Sequence, residues 1–273
     1  MIEAQIVLDS IAPSGNRLTT FQLRYPRFIH SELMTHRQFS RNASSSRAIP
    51  FKRLVQDVLD APAMPLVYLK NKRGMQGGIE LNRGDLDREW LRARDEAVRQ
   101  ARKLADAKVH KQIVNRLLEP FSHITVLVSS TTYDNFFALR YHSDAQPEIY
   151  ELAKQMHGLY LSSEPQQLDV GQWHIPYVTA NEVKEIGIEN ALKCSVARCA
   201  RVSYLTHDKK QPLLEDDLKL YSRLIESTPM HASPAEHQGK AWSAPQQCGN
   251  FTGFMQYRKT LPNECTTQFS LSE

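Results

Sequence analysis

The hydrophobic and polar positions divide the first half of the chain into alternating runs and helical periods. Residues 1–8 and 18–25 alternate as strands do, and residues 123–129 form a third β-prone run. Apolar residues recur with helical spacing over residues 28–34 and again over residues 51–59. The pattern therefore predicts strands interleaved with helices.

A long helix is predicted from about residue 86 to Leu118, with Asp85 as its N-cap and Pro120 just beyond its end. Shorter helical segments are predicted at residues 135–140, 145–161, 180–191, 195–204 and 213–227. Residues 61–83 are rich in Pro, Gly and charge and predict a long loop, and residues 162–179 resemble a linker. We expect an α/β (α+β) fold, with a mixed or antiparallel sheet flanked by helices.

Composition and charge narrow the class of protein. The chain has 273 residues, of which 41% are hydrophobic and 23% charged, which is typical of a folded globular protein. A net charge of +4 can attract phosphorylated ligands, but no basic tract marks a nucleic-acid surface. No signal peptide or membrane span is predicted, and the four cysteines lack paired spacing. We expect a cytoplasmic chain with reduced thiols.

One short run, Thr35 to Arg47, combines cations, hydroxyls and amides after a predicted strand and helix. Arg offers a bidentate fork to an anion, and Ser hydroxyls and backbone amides add neutral donors. The run therefore predicts an anion site. The alternative is a polar helix end followed by a solvated loop, and the run by itself favours that alternative.

Other chemical groups carry weaker signals. A zinc site from His231, His237 and Cys248 lacks a closing ligand pair of the right spacing. Cys194 or Cys199 could act as a nucleophile with a distant histidine, but free cysteines are more often buried packing residues. We therefore expect no metal and no essential cysteine.

The run from Thr35 to Arg47 resembles the signature of the flavin-dependent thymidylate synthases, which is written Arg-His-Arg, seven residues, then Ser. The positions that match it or its longer form are His36, Arg37, Asn42, Ser45 and Arg47. Thr35, Ala43 and Ala48 replace an Arg, a Glu and a Tyr of that signature. The match is partial and calls for support from other segments.

Two further segments resemble the same family. Residues 135–149 carry its Asn-Phe-x-x-x-Arg and Ala-Gln-x-Glu-Ile patterns, although Asp144 stands where a His is common. The resemblance implies that Asn135 contacts flavin and Arg140 the pyrimidine. Residues 115–120, Asn-Arg-Leu-Leu-Glu-Pro, resemble its Ala-Arg-x-x-Leu-Pro segment, which implies a nucleotide-binding Arg116.

A last match lies late in the chain. Residues 197–204 and 231–237 resemble the segments Ala-Arg-Val-Ser-Tyr and His-x-Ser-Pro-Phe-Glu-His, which open the family's sequence. We therefore expect one circularly permuted catalytic domain over residues 1–273, with the signature in residues 1–162 and the family's N-terminal segment within residues 163–273. Such rearrangement preserves a fold when the original termini lie close together.

The resemblance implies synthesis of dTMP from dUMP, with methylenetetrahydrofolate as carbon donor and NADPH reducing bound FAD. It implies a homotetramer with shared active sites. Arg140 and Ser45 are the candidate catalytic residues. The candidate substrate-binding residues are Arg47, Arg116, Glu32, Ser203 and Glu236. The candidate cofactor-binding residues are His36, Arg37, Asn42, Asn135 and His231.

Alternatives remain open at this point. Glu32 stands where the family usually has a Gln, and a carboxylate there could accept hydrogen bonds from an amino group. With Thr35, this leaves open dCMP as substrate, or a hydroxymethyl product formed when water captures the methylene intermediate. A flavin- or nucleotide-binding homologue without turnover is a further alternative. A nucleic-acid-binding protein is disfavoured by the absent basic tract.

Overall fold

The computed structural model describes residues 1–202 and 213–265. Its main sheet has five strands in the order β3-β4-β2-β1-β5, and every pair is antiparallel except β1 with β5. The strands are β1 (Glu3–Ile11), β2 (Arg17–Pro26), β3 (Ser40–Ala43), β4 (His123–Ser130) and β5 (Gln166–Gln167). The predicted α/β (α+β) class with a mixed sheet is confirmed.

Strand β2 lies at the centre of the sheet because its alternation suits burial on both faces. Phe21, Leu23 and Tyr25 point into the largest apolar core and are fully buried. Thr20 and Gln22 point to the opposite face, where they bond to residues from the second half of the chain. Because side chains alternate along the strand, one set of β2 residues faces the main core and the other set faces the layer formed by the second half of the chain.

The helices confirm most of the predicted segments. They are α1 (His30–Met34), α2 (Phe51–Asp60), α3 (Arg83–Asp106), α4 (Lys111–Val114), α5 (Asp134–Arg140), α6 (Pro147–Ser162), α7 (Ala180–Arg201) and α8 (Leu214–Ile225). Helices α5 and α6 cover the main core on one side of the sheet. A second core lies between α2, α3 and the 3-10 turn Asn115–Phe121.

The predicted bounds of the long helix are wrong. Its N-cap is Asn82, whose side chain accepts from the Gly84 amide, and Asp85 lies in the first turn. The helix ends at Asp106, and Lys108 takes a left-handed φ of 64°. The chain turns there because Leu118 and other apolar residues further on pack back beneath α3.

The two helical segments predicted at residues 180–191 and 195–204 form one kinked helix. Gly187 takes a φ of 76° inside α7, a conformation that glycine adopts without steric cost. The part of the prediction beyond Val202 lies outside the described residues. Thr179 begins the helix with a capping box that pairs it with Glu182.

The second half of the chain covers the other face of the sheet. Leu127 of β4 packs there against Cys199 and Val202. The predicted linker 162–179 contributes β5 and a short strand, Trp173–His174, which joins a small sheet with Gly239–Ala241 and Phe254–Gln256. Residues 163–202 and 213–265 therefore pack on the signature half of the chain.

A buried chain of polar groups joins these layers. The Thr20 hydroxyl lies 2.6 Å from Ser129 Oγ and 2.8 Å from His174 Nε2, and Ser129 Oγ lies 2.9 Å from His237 Nδ1. Burial lowers the pKa of His174 and of His237 to about 3. Both imidazoles are therefore neutral and act as hydrogen-bond partners between layers.

The predicted loop at residues 61–83 is confirmed as largely irregular, with one isolated bridge between Leu69 and Glu80. Across residues 1–202 and 213–265, the helices are too short or too polar to cross a membrane.

Candidate active site

The signature run spans the end of α1, a turn at residues 35–39 and strand β3. Phe39 anchors the turn because its ring is buried against the rings of His36, Tyr133 and Phe136, with centroids 5.1–5.7 Å away. This aromatic contact holds the polar residues of the turn beside α5.

Arg140, at the end of α5, reaches back to that turn. Its Nε donates to His36 Nε2 at 3.0 Å, and its Nη2 donates to Thr35 Oγ1 at 3.1 Å and to the Glu32 carbonyl at 3.5 Å. All three acceptors are neutral groups. The structure thus brings Arg140, His36, Glu32 and Thr35 together.

The electrostatics of this cluster keep the histidine neutral. Burial, followed by the nearby Arg140 and Arg41 charges, lowers the pKa of His36 to about 4. Because Arg140 donates to Nε2, Nδ1 carries the proton of the neutral ring. Burial raises the pKa of Glu32, and Arg140 opposes that shift while Glu148 adds to it.

An open pocket of about 240 Å³ lies beside this cluster. Its lining residues are Thr35, His36, Arg37, Gln38, Phe39, Thr132, Asn135, Phe136 and Leu139. Three predicted cofactor-binding residues, His36, Arg37 and Asn135, therefore meet in one place. Across the pocket, the Thr132 hydroxyl donates to Gln38 Oε1 at 2.6 Å.

The donor set of this pocket fits part of a flavin nucleotide. Arg37 and Asn135 are exposed at its rim and can supply a guanidinium fork for a diphosphate and an amide for a ring edge. Phe39 and Phe136 supply an apolar wall. The pocket is open to solvent, so a ligand larger than 240 Å³ can extend from it.

Asn42, the fourth matching signature position, lies on β3 away from that pocket. Its Nδ2 donates to the Cys199 carbonyl at 2.7 Å, and its Oδ1 accepts from Ser233 Oγ at 3.4 Å. The side chain links the signature strand to α7 and to the segment at residues 231–237. A cofactor contact by Asn42 stays a prediction.

The predicted nucleotide-binding residues Ser45, Arg47 and Arg116 lie at the end of β3 and on the nearby 3-10 turn. Ser45 is half-buried and opens a turn in which its carbonyl accepts from the Ala48 amide at 3.0 Å. Arg47 is exposed and has no hydrogen-bond partner among the residues that the structure describes. Arg116 instead donates to both carboxylate oxygens of Glu119, at 2.9 and 3.2 Å.

The late segment at residues 231–237 packs beside β3. Glu236 is paired with Arg258, and its charge also acts on Arg41 of β3. His231 is exposed, and its amide donates to the Leu224 carbonyl at 2.8 Å. Ser203 lies outside the described residues, so its predicted contact with the nucleotide stays a prediction.

Two of the cysteines, Cys194 and Cys199, are buried. Burial raises the pKa of the Cys194 thiol to about 11, and burial also raises that of Cys199, so neither forms a thiolate readily. No group of three or more metal-ligating side chains occurs within residues 1–202 and 213–265.

Sequence reasoning missed three residues of the site. Thr35 was recognised only as a departure from the signature, yet its hydroxyl holds Arg140. Arg27 and Glu119 were not singled out, although the carboxylate of Glu119 holds Arg116. A Glu three residues after an Arg was the available signal, since such pairs meet on one helical face.

The model of the thymidylate synthase complementing protein family, Thy1, matches residues 17–165, which include the signature run, Arg116 and Arg140. A comparison with curated proteins gave no match.

Two solved structures similar to this chain are of the UMP/dUMP methylase PolB from Streptomyces cacaoi, bound with 5-Br UMP or with 5-Br dUMP. Each is 19% identical to this chain and covers 59% of it, with 88% and 90% of the PolB chain covered and TM-scores of 0.49 and 0.47. The family match spans more than half of this sequence. The chain therefore belongs to the thymidylate synthase complementing protein family, the flavin-dependent family of thymidylate synthase-like methyltransferases.

Proposed function

We propose that the protein transfers a one-carbon unit from methylenetetrahydrofolate to C5 of a pyrimidine deoxynucleotide, most simply dUMP to give dTMP. FAD is the proposed bound cofactor, and NADPH the proposed reductant. Membership of the family supports the reaction class. The observation that carries the proposal is Arg140, a guanidinium whose hydrogen-bond partners are all neutral.

The chemistry asks for such a cation. C5 of a uracil is a poor nucleophile unless electron density is pushed onto it, and the enolate-like form of the base that results carries negative charge on its carbonyl edge. A fixed positive charge at that edge stabilises the developing charge without needing to reorganise. Because its hydrogen-bond partners His36 and Thr35 are neutral, the guanidinium of Arg140 is not hydrogen-bonded to a carboxylate of the described residues, although the nearby Glu32 carboxyl acts on it through space.

The remaining site residues bind and orient. His36, Arg37 and Asn135 line the pocket in which we place part of the flavin, which supplies hydride to the transferred carbon when it is bound. Ser45, Arg47 and Arg116 are the proposed partners of the nucleotide phosphate, since hydroxyls and guanidinium groups suit that anion. No nucleophilic cysteine is needed in this scheme, which agrees with the raised thiol pKa values of Cys194 and Cys199.

Glu32 favours a second candidate, dCMP or a hydroxymethylated product. Its side chain lies close enough to Arg140 for the two charges to interact, and burial raises its carboxyl pKa. A carboxyl group there can pair with an exocyclic amino group, which cytosine has and uracil lacks.

We further propose the permuted order of segments in a single domain, and assembly into a homotetramer. The first is supported by the bonds that Asn42 makes to Cys199 and Ser233, which join the signature strand to the segments that open the family's sequence. Light scattering of the FAD-bound protein tests the second, and a monomeric mass would contradict it.

The deciding experiment is anaerobic. The purified protein is reconstituted with FAD, reduced with NADPH and mixed with methylenetetrahydrofolate and either dUMP or dCMP. Reoxidation of the flavin with dUMP and a product of methyl mass would support the synthase. Reoxidation with dCMP, or a hydroxymethyl mass, would select the second candidate. Failure to bind FAD would contradict both.

A further inference from the structure

A carboxylate occupies the cationic site at the end of β3. Glu119 Oε1 accepts from Ser46 Oγ at 2.6 Å and from Arg116 Nη1 at 2.9 Å, and Arg27 Nη1 lies 3.9 Å from the same oxygen. Arg116 also reaches Oε2 at 3.2 Å. One carboxylate oxygen is thus surrounded by a hydroxyl and two guanidinium groups.

These donors are the kind that hold a phosphate oxygen. Guanidinium and hydroxyl donors recognise carboxylates and phosphates through the same charge-assisted hydrogen bonds. In the segment Asn-Arg-Leu-Leu-Glu-Pro, Glu119 stands at the place of the Leu in the family pattern Ala-Arg-x-x-Leu-Pro. The chain therefore supplies its own anion where a leucine would leave the cations available.

Two of the donors are fixed by other bonds. Arg27 is nearly buried and donates through Nη2 to the Ser44 carbonyl at 3.0 Å. The buried Asn115 amide donates to the Ser46 carbonyl at 2.7 Å. The site thus keeps its shape whichever anion fills it.

The ion pair between Glu119 and Arg116 is partly open to water. The Arg116 side chain is 56% accessible and the Glu119 side chain 22%. Exposed ion pairs contribute little to stability, because water competes for both charges. A dianion that binds the same donors can therefore displace Glu119, but it must overcome the repulsion of a carboxylate that remains tethered nearby.

We propose that Glu119 is an internal competitor for the phosphate of the nucleotide. It fills the anion site of Ser46, Arg116 and Arg27, and it weakens the binding of phosphate monoesters while leaving the binding of the uncharged nucleoside unchanged. That the phosphate belongs to a nucleotide substrate rests on the proposed function, whereas the anion site itself does not.

The test compares three ligands on the full-length, FAD-reconstituted protein by calorimetry: dUMP, deoxyuridine and inorganic phosphate. Glu119→Gln removes the charge and keeps an acceptor for Ser46. We expect it to tighten dUMP and phosphate about 10-fold, the free energy of one charge-assisted hydrogen bond, with deoxyuridine unchanged. Glu189→Gln, an exposed carboxylate on α7, is the matched control and should change none of the three.

A double variant, Arg116→Gln with Glu119→Gln, is the second part of the test. It should lose the tighter binding of dUMP and phosphate that Glu119→Gln alone produces. Equal or weaker binding of both dUMP and phosphate by a folded Glu119→Gln variant would overturn the proposal, and weaker binding would make Glu119 a positioning residue for Arg116. A gain for phosphate without any binding of dUMP would support the internal competitor and contradict the proposed function. Melting temperatures of all variants establish that they fold.

Discussion

Two arginines of this protein sit among hydrogen-bond acceptors of opposite character. Arg140 donates to an imidazole, a hydroxyl and a carbonyl, all of them neutral. Arg116 donates to both oxygens of the Glu119 carboxylate. The first guanidinium is held by neutral hydrogen-bond acceptors, and the second is paired with a carboxylate.

This difference shows that the hydrogen-bond partners of an arginine, more than the mere occurrence of the arginine in the sequence, determine which role it can take. A preorganised charge can stabilise charge that develops during a reaction, because it acts at full strength when the charge appears. A charge paired with a carboxylate must exchange partners before it binds a ligand anion. We therefore expect Arg140 to matter for turnover and Arg116 for affinity.

The largest expected effect comes from Arg140→Gln. It removes the charge that we propose to lie next to the base while keeping a donor for His36, so kcat should fall by about 10²–10³-fold, as when one preorganised donor is lost. Single-turnover formation of the nucleotide product measures it. Arg92→Gln, an exposed position on α3, is the control and should leave kcat unchanged. A change confined to KM would contradict the expectation that Arg140 matters for turnover and Arg116 for affinity.

A smaller effect is expected from Arg116→Gln. Loss of one charge-assisted contact to phosphate should raise the Kd for dUMP about 10-fold and leave kcat nearly unchanged. Titration of dUMP at two salt concentrations measures it, and the variant should show the weaker salt dependence. Arg99→Gln, exposed on α3, provides the control. A fall in kcat as large as that of Arg140→Gln would place both arginines at the reacting base.

Thr35→Val tests how Arg140 is held. The substitution removes the hydroxyl that accepts from Arg140 Nη2 at 3.1 Å but keeps the branched shape of the side chain. We expect kcat to fall about 5-fold, the scale of one neutral hydrogen bond. Thr35→Ser retains the hydroxyl and should recover most of the rate. Equal rates for both variants and the native protein would show that His36 and the Glu32 carbonyl position Arg140 without the hydroxyl.

The smallest expected effect is on stability in acid. The folded His36 has a pKa of about 4, below its ordinary value of 6.5. Between those two values the unfolded chain binds a proton that the folded chain does not, so stability falls as the pH falls. His36→Gln should therefore lose about 3 °C less in Tm between pH 7 and pH 5 than the native protein does. Thermal melts at both pH values measure the difference, and equal losses would mean that His36 is protonated beside Arg140.

Strands and helices with clear periodicity could be predicted from the sequence because a single pattern decides them. The alternation in β2 and the spacing in α2 each bury one face, and both elements appear where they are predicted. The end of α3 could not be predicted in this way. Apolar spacing continues past Asp106, and the chain turns there because the residues that follow pack back against α3 in the second core.

The candidate site likewise has a part that the sequence predicted and a part that it did not. The resemblance of residues 35–47 and 135–140 singled out His36, Arg37 and Asn135, which line one pocket, and Arg140, which donates to His36 beside it. It also grouped Asn42 with them, but this side chain faces Cys199 and Ser233. Alternation along β3 assigns each residue a face, and the sequence does not tell which layer covers that face.

The sequence by itself determined the family, the alternation of strands and helices, and the residue types that can hold an anion and a flavin. Those properties depend on local spacing and on side-chain chemistry. The tertiary structure alone decided that Arg140 has neutral partners and that Glu119 fills the site of Arg116 and Ser46. Partners such as Arg140 and His36 are separated by about a hundred residues, so their contact follows from the packing of α5 on α1 and not from any local pattern.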